Sequence, residues 1–303
     1  MKITLPDDSS RDLPEGSSGF DLAKDIGPGL AKSAVAITVN GEQRDLHDAI
    51  EADASVSIIT IDSDAGIEIM RHTLTAQVLA RAIKNLYPES QLAIGPTIED
   101  GFYYDVETNE TISIDDLQKI EDEMKDIIKT KSSITKKLVS KPEALKIFKS
   151  LKEPYKQEII NDSDQKDDFQ LYYQDQDEFV DLCKGPHLPN LSFIGSFKLT
   201  KVSGAYWQGD SKNNMLTRIY GTAWKNDKDL EKYLNTIEEA VKRDHRKLGK
   251  EMDLFHFQDE APGMVFWHPY GWNIYKTLQN YIRAKLDKNC LLYTSPSPRD
   301  TRS

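Results

Sequence analysis

The sequence predicts an α+β protein: a small strand-rich module followed by a larger mixed one. Three observations carry that prediction. The strand SAVAITV runs into Asn40-Gly41 and is answered by a second apolar strand, SVSIITI. After His72 an apolar stripe recurs at helical spacing. Beyond it, LAIGPTIEDGFYYDV, FQLYYQDQDEFVDL and MLTRIYGTAW read as strands separated by turn residues.

The first module covers residues 1–62. KITL is a short strand, and DLAKDIGPGLA a short helix closed by Gly27-Pro28-Gly29, a strong breaker. SAVAITV is rich in β-branched residues, and Asn40-Gly41 fits a tight hairpin whose two turn positions need positive φ. Strand, helix, hairpin and strand in this length describe a compact β-grasp unit. It carries no nucleophile or metal-binding cluster, so it reads as a binding or docking module.

The second module, residues 63–225, opens on a helix. Leu74, Val78, Leu79, Ala82, Ile83 and Leu86 form one apolar stripe, and Pro88 ends it. Turn signals at Gly95-Pro96 and Asp100-Gly101 divide the next strands. SIDDLQKIEDEMKDIIK is amphipathic, with Ser113 as its N-cap and acids in its first turn opposing the dipole. FQLYYQDQDEFVDLCKGPHLPN alternates and then breaks at Gly185-Pro186. Residues 226–250 read as one long charged linker helix with a narrow stripe of Leu230, Tyr233, Leu234, Ile237 and Val241. Residues 251–289 start a further apolar unit, and roughly forty residues do not supply a core of their own. Residues 290–303 are Ser/Pro/Arg-rich and aperiodic, and are expected to be adapter-derived rather than part of the fold.

The chain has 303 residues, a net charge of −11 and 38% hydrophobic residues, enough for two or three cored domains. No apolar run of membrane-spanning length occurs, and MKITLPDDSSRDLPEG lacks a signal-peptide core. Two cysteines, Cys183 and Cys290, make no disulfide framework, so a reducing cytoplasm is expected. The acidic total argues against nucleic acid only bluntly, because a local basic face still binds phosphate. Ten lysines from Lys125 to Lys156 crowd one such segment; the simpler reading is a solvated helical face.

Two short clusters carry chemistry. One is His72 with the helical residues after it; the other is Cys183-Lys184-Gly185-Pro186-His187. A His/His pair on that helix with the Cys/His pair would offer four soft ligands to zinc, or would position a water for ester hydrolysis with His as general base. Each cluster alone is a weak signal.

Seven stretches taken in order are specific: RHTLTAQVLARAI, AIGPTIEDGFYYDV, DLCKGPHLPN, SGAYWQGDS, RIYGTAW, KRDHRKLGKEMDLF and EAPGMVFWHPYGW. Together they resemble the N-terminal half of bacterial threonyl-tRNA synthetases, class II aminoacyl-tRNA synthetases. The resemblance implies a TGS domain, an editing domain, a linker helix and the start of a class II catalytic domain. It implies hydrolytic proofreading of seryl-tRNA(Thr), because one missing methyl is worth only about 1–3 kcal/mol to a synthetic pocket. Carried over by residue, His72, Cys183, His187 and Asp181 are the expected catalytic set. Lys156, Gln77 and Tyr104 are the expected substrate and tRNA contacts. No cofactor is expected for editing; ATP, Mg2+ and Zn2+ belong to the full-length parent, so ligation is not expected from this chain. The expected partner is the acceptor end of tRNA(Thr), with no membrane. A homodimer is expected of the parent only, and a monomer of this chain. The alternative is a catalytically weakened tRNA-binding or regulatory TGS-type module.

One departure matters. The family helix would read RHxxAHVLA, whereas here RHTLTAQVLA inserts a residue and places Gln77 at the second histidine. Glutamine orients a water but cannot take its proton, and it is a poor zinc ligand. A metal, if any, would have only His72, Cys183 and His187, so none is expected. On a regular α-helix five residues rotate about 140° past one turn, so His72 and Gln77 would face apart. The expectation is a π-bulge that absorbs the insertion, or a helix that starts beyond His72.

Overall fold

The computed structural model describes residues 1–175 and 178–289; the adapter-like tail and Cys290 lie outside the described residues. The chain divides into two compact units, Met1–Glu231 and a second that begins at Lys232. No helix among the described residues is long and apolar enough to cross a membrane.

The first unit opens with β1 (Lys2–Thr4), β2 (Ser10–Asp12), α1 (Gly19–Ile26), α2 (Pro28–Ser33), β3 (Ala34–Val39), β4 (Glu42–Asp45) and β5 (Ala54–Thr60). They form one sheet ordered β2-β1-β5-β3-β4, with β1 and β5 parallel. Asn40 and Gly41 turn the β3–β4 hairpin at φ 49° and 90°. α1 begins with a capping box between Ser18 and Asp21. The breaker at Gly27 does end α1, but Pro28 then starts α2 at its first position, where a missing N–H costs nothing. β2 was not legible, because SRD is fully exposed and polar.

β3 is buried on both faces. Ala34, Ile37 and Val39 join Ile3, Leu22 and Leu46 beneath α1. Val35, Ala36 and Ile59 instead join Ile69, Met70 and Leu74 of the following segment. The N-terminal sheet is therefore a layer of the larger body, and a cored Leu or Ile here is worth about 2–5 kcal/mol against truncation to Ala.

That segment is α3 (Asp64–Thr73), a π-helical stretch over Leu74–Leu79, and α4 (Ala80–Leu86). β6 (Gln91–Leu92), β7 (Thr97–Ile98) and β8 (Gly101–Glu107) follow. α5 (Leu117–Lys129) comes next, entered through Ser113, whose capping box with Asp116 opens a 3-10 turn. β9 (Ile134–Val139), α6 (Lys141–Ser150) and α7 (Pro154–Asp162) precede the hairpin of β10 (Phe169–Gln174) and β11 (Phe179–Leu182). β12 (Ser196–Tyr206) and β13 (Met215–Trp224) complete the unit. One sheet runs β12-β13-β8-β6, with β7 on β8; another runs β11-β10-β9. Phe102, Tyr104, Val106 and Ile219 turn from the first of these onto α3, the π stretch and α4. Phe148, Ile160, Phe169 and Leu171 form a separate core under α6 and α7.

The division between units falls within α8 (Asp227–Lys242). The expected single linker helix is corrected: α9 (His245–Glu251) starts anew because the Asp244 side chain accepts from the Arg246 N–H at 2.8 Å and caps it. The second unit continues with the two-stranded pair β14 (Phe255–His256) and β15 (Phe266–Trp267), then α10 (Pro269–Lys288).

The π stretch stands where the resemblance implies an added residue. The Ala80 N–H donates to the Thr75 carbonyl five residues back. The Thr75 hydroxyl donates to the Tyr103 carbonyl of β8 at 2.8 Å, which ties the wide turn to the sheet. Thr75→Val removes that tie, and we expect about 1–2 kcal/mol less stability by urea unfolding; an unchanged midpoint contradicts the tie.

Candidate functional site

The last turn of α3 delivers His72 and Thr73. The loop after β11 delivers Cys183 and His187, turning at Gly185 with φ +63° and a cis Gly185-Pro186 bond. Glycine is required there: a Cβ at 185 would stand 1.9 Å from the Tyr172 hydroxyl. His72 Nε2 lies 2.9 Å from Cys183 Sγ, and the His72 and His187 rings are 4.6 Å apart between centroids. Ligand atoms of His72, Cys183 and His187 all lie within 4.8 Å of one another.

Burial lowers the His72 pKa below the usual imidazole value, against the opposing charges of Asp181 and Asp45. The ring is therefore neutral at pH 7. His187 is oriented by Thr73. The Thr73 hydroxyl donates to the Ile69 carbonyl at 2.8 Å and accepts the Leu188 N–H at 2.9 Å. With its one proton committed, it accepts from His187 Nδ1 at 3.1 Å. His187 Nε2 has no hydrogen-bond partner among the described residues.

A cleft of about 570 Å³ opens beside this pair, lined by His72, Ala76, Gly95, Lys156, Asp181 and Cys183 among others. Lys156 and Asp181 form an ion pair at 2.6 Å with side chains 4% and 2% exposed. Burial pushes the Asp181 carboxyl up, and Lys156 pulls it back. The Leu182 N–H and the Tyr104 hydroxyl also donate to Asp181, at 2.8 and 3.2 Å. Burial, with the Asp181 charge beside it, keeps the Tyr104 phenol protonated.

The expected site residues thus separate. His72, Cys183, Lys156 and Asp181 meet at the cleft. His187 is only 2% exposed and stands behind His72 rather than on the cleft wall. Tyr104 is corrected from a substrate contact to a buried support of Asp181, because its side chain is on the core face of β8. Gln77 is corrected as well. The wide turn starts only at Leu74, so Ala76 lines the cleft and Gln77 turns inward to Gln174, whose amide meets its side-chain oxygen at 3.1 Å. Gln77 offers no fourth ligand, so His72, Cys183 and His187 fit a metal only as an open three-ligand set.

Thr73, Asp45 and Tyr172 went unread in the sequence. Thr73 adjoins His72, but Asp45 lies 142 residues from the His187 N–H that it accepts at 2.8 Å, and no spacing rule spans that distance. Within the lysine-rich segment Lys125 and Lys129 make exposed pairs on α5, and Lys136 pairs with Asp45 and Asp48.

Asp181→Asn leaves Lys156 buried without its counter-charge, and we expect a loss of about 3–5 kcal/mol in chemical unfolding. A loss below about 1 kcal/mol contradicts a closed ion pair.

Comparisons with known proteins match two domains and one relative. Residues 1–60 match the TGS domain, and residues 170–220 match the "Threonyl and Alanyl tRNA synthetase second additional domain". The chain is 51% identical over 287 residues to the threonine–tRNA ligase of Prochlorococcus marinus (strain MIT 9211). That match covers 95% of this chain and 44% of the relative, so the chain spans less than half of its length. With an α+β fold, a TGS domain and an editing-type domain, the chain is a homologue of a threonine–tRNA ligase over 95% of its own length.

Proposed function

We propose that this chain proofreads: it hydrolyses serine from tRNA(Thr). One observation carries the reading. A neutral, half-buried His72 and the Cys183 thiol stand together on the wall of a cleft that also presents Lys156 and Asp181. A hydrolase needs a base that is unprotonated at working pH, and burial supplies one here.

In this reading the acceptor end of the tRNA enters the cleft with its aminoacyl ester beside His72. A water attacks the ester carbon and gives its proton to His72 Nε2, displacing the Cys183 thiol from that nitrogen as it does so. The tetrahedral adduct collapses, the ribose oxygen leaves and takes that proton, and serine and free tRNA separate. Cys183 holds His72 in place and hydrogen-bonds the water. Lys156 and Asp181 recognise the polar groups of the aminoacyl-adenosine. His187 backs His72, its ring 4.6 Å from the His72 ring between centroids. Selection of serine over threonine results if the cleft has no room for the extra methyl. ATP, magnesium, zinc and dimer formation belong, in the same reading, to the ligation reaction of a whole synthetase and take no part in the hydrolysis.

A second reading has one observation in its favour: the three side chains offer one thiolate and two imidazoles within metal-binding reach. Such an ion would supply a more acidic water. The direct 2.9 Å contact of His72 with Cys183 favours the metal-free arrangement, in which those two groups bond each other.

Both readings meet in one experiment: deacylation of seryl- and threonyl-tRNA(Thr) by the chain and by His72→Ala, across pH and after chelation. We expect loss of serine alone and at least a roughly hundredfold fall in the variant. Because the His72 pKa is lowered, the charged, inactive form should appear only below about pH 6.5. The rate should be flat from about pH 6.5 to 8 and fall on the acid side. No hydrolysis of either substrate contradicts the proposal. Loss of activity on chelation, restored by zinc, supports the metal reading.

A further inference from the structure

We propose that Asp45, a residue of the N-terminal TGS domain, is a positioning residue of the hydrolytic site, through which that domain holds the His187 loop in its working geometry. The inference rests on the hydrolysis proposed above.

Asp45 closes β4, the edge strand of the first sheet. Its backbone pairs with Ala36, yet its side chain leaves its own domain. Among the described residues, every side-chain hydrogen bond and ion pair of Asp45 goes to the larger module. Oδ1 accepts the His187 backbone N–H at 2.8 Å. Oδ2 accepts the Tyr172 hydroxyl at 2.7 Å and the Lys136 ammonium at 2.9 Å. The carboxylate is thus saturated by one donor from the loop that carries His187, one from β10 and one from β9.

These are the donors that fix His187. Tyr172 is buried, and its ring stands edge-on to the His187 imidazole at 4.4 Å. The same hydroxyl closes over Gly185. A carboxylate that fastens both Tyr172 and the His187 backbone sets the ring's height against Thr73 and His72. Nothing in the β-grasp fold asks for this. An edge-strand acid can face solvent, where it costs nothing, whereas Asp45 is 14% exposed at the side chain. Lys136 bridges Asp45 and Asp48, so two acids of the TGS domain share one cation of the editing domain. A cavity of about 260 Å³ lined by Asp45, Asp48, Lys136, Tyr172 and His187 adjoins the contact, so the loop has space to move into if the tie is cut. Outer partners of metal-ligating histidines typically carry about 10–100-fold in activity without touching substrate, and the same order is expected of a group that holds a reactive histidine.

The test compares the whole chain with Asp45→Ala and Asp45→Asn. The asparagine keeps an oxygen for the His187 N–H and loses the charge. For seryl-tRNA(Thr) deacylation we expect kcat to fall about 10–100-fold in Asp45→Ala with KM within roughly threefold, and Asp45→Asn to recover most of the loss. Hydrogen exchange supplies a readout independent of turnover. The His187 amide should exchange at least about tenfold faster in Asp45→Ala, with amides of β3 and β5 unchanged. Unaltered His187 exchange overturns the proposal, whether or not the chain hydrolyses anything. Faster exchange with kcat within about twofold overturns the positioning role. Faster exchange in a chain whose wild type is inactive upholds the tie and counts against the hydrolysis reading alone. Loss of protection throughout β3 and β5 would mean that Asp45 serves the fold rather than the loop, and overturns the proposal as well.

Discussion

The wide turn over Leu74–Leu79 is the constraint on which the rest depends. A helix with one residue too many must bulge, rotate its remaining residues, or shed its first turn. This chain bulges, and it does so after His72 rather than across it. The turn that ends at Thr73 is regular α-helix, and there His72 meets Cys183 while Thr73 meets His187 and Leu188. Everything downstream of the bulge is re-aimed. Ala76 comes to the cleft wall, and Gln77 goes to the interior. The Thr75 hydroxyl on β8 and the Gln174 amide on Gln77 hold the distorted stretch from its two sides.

That arrangement separates two questions the sequence presents as one. Glutamine at position 77 looks like a lost catalytic histidine. In the structure the position has left the cleft, so its chemistry concerns packing. Its Nε2 is buried without a partner, a local cost of about 1–3 kcal/mol that the fold carries elsewhere. The groups that remain in the cleft are a neutral imidazole, a thiol and a saturated ion pair, enough for base-assisted hydrolysis with no fourth ligand.

How much of this was legible depends on the range of each signal. Hairpins and amphipathic helices rest on neighbours two to four residues apart, so Asn40-Gly41, β13 and α5 lie where the pattern puts them. The break at Asp244 was missed because a capping aspartate looks like any charged residue of an exposed helix. His72, Cys183 and His187 were legible through their spacing and the resemblance. The bulge was legible as an insertion, but its starting residue was not, and that one detail decides between Ala76 and Gln77. Asp45, Tyr172 and Thr73 act through single hydrogen bonds across 114 to 142 residues or beside an expected residue, with no periodicity to announce them.

The measurement that bears most directly on this account is serine release from seryl-tRNA(Thr) by Gln77→Met, with its unfolding midpoint in urea. Methionine fills a similar volume and carries neither the amide nor its unpaired N–H. If the bulge has moved position 77 out of the cleft, the rate stays within about threefold of the parent chain and stability is equal or higher. A roughly tenfold slower rate at unchanged stability would place Gln77 at the reacting ester and contradict the account.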